Sequence, residues 1–185
     1  SLPSGMVFVM VSRRHLLQAP LLLAAERAGE ATHKMTLSMH QTTSARAGYR
    51  KSLEGWAKAG IHSVEPTAAL LDDYLKTDSL TNAKRILTDN GLNIISGAAG
   101  VTGLWEPNPN FAKNLDTFRK RCEQFAELGA PLVYSPCVTT AKFTPDDYVK
   151  CLENIRQVAE VARQFRLKVA AEVVRNSTFL ASPPT

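Results

Sequence analysis

Cysteine is scarce: only Cys122, Cys137 and Cys151 occur in 185 residues. An odd number this small excludes a complete disulfide framework. Their spacing matches no zinc pattern. Cys122 and Cys151 fall on apolar helical stripes and read as core packing. Long hydrophobic runs are also missing. None approaches the ~18 residues of a spanning helix, so no membrane span is expected. Ten glycines and ten prolines are too few for a collagen-like or low-complexity chain. Charge of one sign is nowhere concentrated. The net charge is +5, but basic and acidic residues interleave, and no stripe for nucleic acid is formed. A small anionic ligand or a weak surface preference fits that balance. With 44% hydrophobic and 21% charged residues, the composition suits one globular domain rather than a disordered chain.

Several catalytic signatures are absent too. There is no Gly-x-Ser-x-Gly elbow and no His-Glu-x-x-His helix. The glycine-rich turn Gly97-Ala98-Ala99-Gly100-Val101-Thr102-Gly103 lacks the Lys and Ser/Thr that a phosphate-binding loop needs after its last glycine. It also fails the dinucleotide spacing. The stretch from Gly97 to Asn110, which carries Trp105 and Glu106, reads either as a lid or as a plain surface loop.

What is present begins with a charged and then apolar N-terminus. Ser1 stands first, and Met6 and Met10 both qualify as starts. Arg13-Arg14 precede the mostly apolar stretch Leu16 to Ala25, and small residues follow at Ala28, Gly29 and Ala31. That order describes an export signal, and the paired arginines resemble the twin-arginine type. An ordinary amphipathic helix is the competing reading, because Glu26 and Arg27 interrupt the tail. Residues 1–31 are therefore expected to be an export signal and 32–185 the domain. A periplasmic location follows if the signal is used, and a cytoplasmic one otherwise.

From Met35 onward one pattern recurs. A short β-rich run leads through a loop to a helical stripe, then to a glycine and an apolar residue. The predicted strands are Thr36–His40, Ser63–Glu65, Asn93–Ser96, Leu132–Ser135 and Lys168–Val173. The helix ends Ala59-Gly60-Ile61, Asn90-Gly91-Leu92 and Leu128-Gly129-Ala130 place glycine where a left-handed residue stops a helix. Phe165-Arg166-Leu167 keeps the rhythm without the glycine. Helical stripes run through Phe111, Leu115, Phe118, Cys122 and Phe125, and through Tyr148, Leu152, Ile155, Ala159 and Ala162. Leu53, Trp56 and Ala57 mark a first helix, and Leu80, Ala83 and Leu87 a second. Thr144 or Asp146 is expected to cap the last helix, and Pro145 suits its first turn.

Alternating strands and helices predict an α/β fold with a parallel sheet and helices outside it. Right-handed crossovers leave a doubly wound sheet or a barrel. In both, binding groups sit at the strands' C-terminal ends. That position selects His40, Gln41, Glu65, Ser96, Ser135, Cys137 and Glu172. Glu172 stands out because it interrupts the apolar run Val169-Ala170-Ala171. A carboxylate there is costly unless paired, hydrogen-bonded or bound to a metal. It reads as a ligand or acid–base group, or as the partner of Arg175 or a neighbouring lysine. Glu65, in Ser63-Val64-Glu65-Pro66, has the same character.

The succession Leu37-Ser38-Met39-His40, Ala57-Lys58-Ala59-Gly60-Ile61-His62-Ser63-Val64-Glu65, Asn90-Gly91-Leu92-Asn93-Ile94-Ile95-Ser96 and Val169-Ala170-Ala171-Glu172 resembles the sugar phosphate isomerase/epimerase family. This family lies within the xylose isomerase-like TIM barrel superfamily. The resemblance implies a partial (β/α)8 barrel of about five βα units. It implies a divalent metal (manganese, magnesium, cobalt or zinc), with Glu172 as metal ligand and catalytic acid–base group. It makes His40 and Glu65 substrate-side residues, and a small sugar or sugar phosphate the substrate. The chemistry is proton transfer through an enediolate, with the metal polarising a carbonyl and its neighbouring hydroxyl.

Family members have eight strands, and their other metal ligands sit on strands six to eight, so the resemblance describes a chain truncated after the fifth strand. A homo-oligomer or a complementary chain is then expected, because open sheet edges invite pairing. A non-catalytic fragment or assembly partner is the alternative function. A DNA repair enzyme of the endonuclease IV type is disfavoured. Glu65 and Ser96-Gly97 stand where its zinc histidines belong, and no nucleic-acid partner is expected.

Overall fold

The computed structural model describes residues 36–180. The expected export signal, residues 1–31, lies outside them. The chain forms β1 (Ser38–His40), a 3-10 segment (Gln41–Ala47), α1 (Gly48–Lys58), β2 (Ser63–Glu65), α2 (Ala68–Leu75) and α3 (Leu80–Asp89). Then come β3 (Asn93–Ile94), β4 (Gly97–Ala98), α4 (Phe111–Leu128), β5 (Leu132–Cys137), α5 (Pro145–Gln164) and β6 (Lys168–Val173). No described helix is long and apolar enough to cross a membrane.

Every strand pairing is parallel, in the orders β1-β2-β3 and β4-β5-β6. Backbone bonds carry the arc across the gap between the two sheets. Ile95 N–H donates to Val64 O at 3.1 Å, Ala98 N–H to Pro66 O at 2.9 Å, and Ala99 N–H to Tyr134 O at 2.9 Å. The expected strand Asn93–Ser96 is thus strand only at β3, and the same position in the arc resumes as β4 in the first two residues of the stretch read as a loop. Six segments fill five places of a partial barrel, in chain order.

The helix ends repeat one motif. Gly60, Gly91 and Gly129 adopt φ of 77°, 60° and 90°. The next residue's N–H reaches back to Trp56 O, Leu87 O and Phe125 O, each at 2.9 Å. This is the Schellman closure, which satisfies the last carbonyls of the helix. Arg166 does the same work without glycine, at φ 61°, and Leu167 N–H closes on Ala162 O at 3.0 Å. At the start of α5, Asp147 accepts from the Thr144 backbone N–H at 2.7 Å and its hydroxyl at 2.9 Å. Those bonds hold the Asp147 carboxyl below its usual range.

The helices pack side by side around the outside of the arc. Their inner stripes bury Leu53, Leu71, Phe118, Phe125 and Val158 against the sheet. The α4 stripe is the one its periodicity predicts. On α5 the expectation needs correction. Cys151, Asn154, Val158, Val161 and Ala162 are buried, whereas Tyr148 and Leu152 are 46% and 50% exposed. α5 carries two apolar stripes, and only packing against the sheet and α4 ranks them. The short helix α2 was not anticipated. Eight residues give a periodicity too brief to separate from a loop.

The loop from Gly97 to Asn110 is neither a lid nor a plain surface loop. Val101, Leu104, Trp105 and Glu106 are buried. Trp105 Nε1 donates to Ser135 O at 3.1 Å, and Val101 N–H to Ser135 Oγ at 3.3 Å. Asn154 Nδ2 donates to the carbonyls of Trp105 and Glu106. Packing also explains its first glycine, because a Cβ on Gly97 would run into the Phe125 ring.

Candidate functional site

Strand alternation decides what each strand end presents. Successive side chains point to opposite faces, and register partners in a parallel pair share a face. Val64, Ile94, Val133, Ser135 and Cys137 are buried under the helices. Through the registers His40↔Glu65, Tyr134↔Ala170 and Pro136↔Glu172, the opposite, concave face receives His40, Glu65, Tyr134 and Glu172. All four are only partly buried. The concave face is therefore the polar side of the sheet, with its acidic groups at the strands' C-terminal ends.

Glu65 is the hub. Its Oε2 accepts a short bond from the Ser96 hydroxyl. Its Oε1 accepts from the Tyr134 hydroxyl at 3.0 Å, and His40 Nε2 stands 3.8 Å from that same oxygen. The His40 and Tyr134 rings are tilted at 45° with centroids 6.5 Å apart. One carboxylate thus ties β2 to the break between β3 and β4, and to β5. His40 is itself fixed, since its Nδ1 accepts the Thr42 backbone N–H at 3.3 Å.

Glu172 shares this face but stands apart from the cluster. Among the described residues it has no hydrogen bond or ion pair, so the alternative reading, a pairing with Arg175 or a lysine, is not formed there. It is part-exposed, so the cost of placing a carboxylate in an apolar run is relieved by solvent on the concave side.

Three residues selected by strand-end position belong to the other face. Ser135 and Cys137 are fully buried. Burial pushes the Cys137 thiol up to about 12 and Cys151 to about 11, which leaves both unreactive as thiolates. Gln41 is a strut rather than a ligand. It donates to Tyr49 O at 3.1 Å and Ser52 Oγ at 2.9 Å, and accepts from the Thr67 N–H at 3.1 Å. Tyr134 is the residue that sequence reasoning missed. The signal was present in alternation: if Val133 is core, Tyr134 must face the concave side.

A catalytic divalent metal needs several converging donors. Among the described residues no group of three His, Cys, Asp or Glu side chains could hold one. Glu172 offers a single carboxylate, so this donor set does not fit the metal by itself.

The family described as the xylose isomerase-like TIM barrel matches residues 53–182. The chain belongs to it. Comparison with curated proteins gives no match. Among solved structures, a protein of Sinorhizobium meliloti 1021 is 24% identical with a TM-score of 0.63, over 76% of this chain and 51% of that one. The IOLI protein, described with a bound zinc atom, is 18% identical with a TM-score of 0.67, over 74% and 51%. D-allulose 3-epimerase from a Methylomonas species, in complex with D-allulose, is 18% identical with a TM-score of 0.60, over 76% and 51%. The chain spans about half the length of these structures.

Proposed function

We propose that the chain carries part of the active site of a sugar or sugar-phosphate isomerase or epimerase. The observation that carries this reading is the gathering of His40, Glu65 and Glu172 on one concave face, at strand C-terminal ends, in a chain of this barrel family. Glu172 acts as the acid–base group. It takes the proton from the carbon beside a carbonyl and returns one to form the isomer, passing through an enediolate. Among the described residues it has no partner, which leaves it available for that task. Glu65 and His40 bind substrate oxygens.

Glu172 is also the donor this chain would offer to a manganese, magnesium, cobalt or zinc ion. Such a site needs further donors that the described residues do not supply. Export through residues 1–31 belongs to the same proposal. So does completion of the arc by a second copy or a complementary chain, since the outer edges of β1 and β6 pair with no other described strand.

Solvent exchange tests the reading. The protein is incubated in deuterium oxide with a divalent metal and a ketose, free or phosphorylated. The reading expects deuterium on the carbon beside the carbonyl, and its loss in Glu172→Gln. No incorporation into any ketose by the native protein, with each of the four metals, overturns it.

A further inference from the structure

Tyr134 and His40 converge on one oxygen, and only one of them reaches it. The Tyr134 hydroxyl lies 3.0 Å from Glu65 Oε1, a normal hydrogen bond. His40 Nε2 lies 3.8 Å from it, which is too far for one. The proton of a neutral His40 is assigned by its other nitrogen. Nδ1 accepts the Thr42 N–H at 3.3 Å, so it carries the lone pair and Nε2 carries the hydrogen. Among the described residues, Nε2–H has no acceptor within hydrogen-bond range. The second oxygen of Glu65 is held by Ser96. A swing of about 1 Å would bring Oε1 from Tyr134 into range of His40.

We propose that Tyr134 is a positioning residue. By holding Oε1 it keeps Glu65 from closing on His40, and so leaves the Nε2–H donor free for a hydroxyl or carbonyl oxygen of a bound sugar. This rests on the reading of the concave face as the sugar site. Ser96 has the other half of the task, anchoring the carboxylate so that Tyr134 decides only its direction.

The test is the hydrogen exchange of the His40 ring N–H, read by NMR on histidine-labelled protein, in native, Tyr134→Phe and Ser96→Ala forms. In Tyr134→Phe, Glu65 turns to His40, and the ring proton exchanges at least tenfold more slowly than in the native protein. In Ser96→Ala, Tyr134 still holds Oε1 and exchange stays at the native rate. A purely structural tyrosine would lower the melting temperature without slowing that proton. D-allulose, titrated into the same samples, binds the native protein and binds Tyr134→Phe at least tenfold more weakly. Equal exchange rates in native and Tyr134→Phe protein overturn the positioning role whatever the sugar does. A native protein that binds neither D-allulose nor D-tagatose overturns the ligand half, and with it the sugar-site reading. Slowed exchange would still establish the competition for Oε1.

Discussion

On the helix-covered face of the sheet, Val64, Val133, Ser135 and Cys137 have no exposed surface. Their immediate neighbours on the concave face, Glu65, Tyr134, Pro136 and Glu172, keep part of theirs. The same short strands serve both. On the outer face, side chains are chosen for volume, and even the polar ones are hydrogen-bonded struts, as with Ser135 beneath Val101 and Trp105. On the concave face a carboxylate is held by two hydroxyls while another has no partner among the described residues. The first arrangement stabilises the fold. The second joins strands through Glu65 and leaves Glu172 without a partner among the described residues, which is the feature the proposed function uses.

Mutations should separate the two faces sharply. The largest effect is expected for Phe118→Ala, which empties a fully buried ring site. It should cost about 3–5 kcal/mol in chemical denaturation. Gly97→Ala follows, at about 1–3 kcal/mol, because the new methyl meets the buried Phe125 ring. Arg166→Gly should stabilise by about 1 kcal/mol, since glycine relieves the left-handed conformation at some entropic cost in the unfolded chain.

Asp78 gives a smaller, pH-dependent contribution on the helical rim. The Tyr74 hydroxyl, then the Asn82 side chain and the Ser79 N–H, lower its carboxyl to about 2. A lowered folded-state value means stability that is present above the unfolded value of about 3.9. It is lost as pH falls toward about 2. Asp78→Asn should lower stability at neutral pH and flatten the acid limb of a pH–stability curve, its difference from the native protein closing as pH falls through that window. The smallest effect belongs to the concave face. Glu172→Gln removes no described partner and should alter stability by no more than about 0.5 kcal/mol.

The same contrast explains what could be read from sequence. The strand–helix rhythm was legible because glycine marks three helix ends and an apolar residue closes each one. The strand-end positions of His40, Glu65 and Glu172 were legible from the same rhythm, and strand ends are where such folds present ligand groups. Which face a strand end presents was not, since a one-residue shift inverts every side chain. That is why Ser135 and Cys137 were selected and Tyr134, between Val133 and Ser135, was passed over. The inner stripe of α5 was misplaced for a related reason. Tyr148 and Leu152 look as apolar as Val158 and Val161, and packing in three dimensions ranks them. The cluster around Glu65 joins residues far apart in sequence, Glu65 to Ser96 and Glu65 to Tyr134, so no local motif announces it.

The most direct test of a concave face built for binding is a pair of calorimetric melts. Native protein and Glu172→Gln are each heated alone and with a saturating ketose such as D-allulose, in the presence of a divalent metal. The account predicts equal melting temperatures without sugar and a rise with sugar in both proteins, because His40 and Glu65 bind the sugar and a ligand that binds the folded state alone stabilises it. A variant that melts several degrees lower without sugar, or a native protein whose melting temperature sugar leaves unchanged, would contradict it.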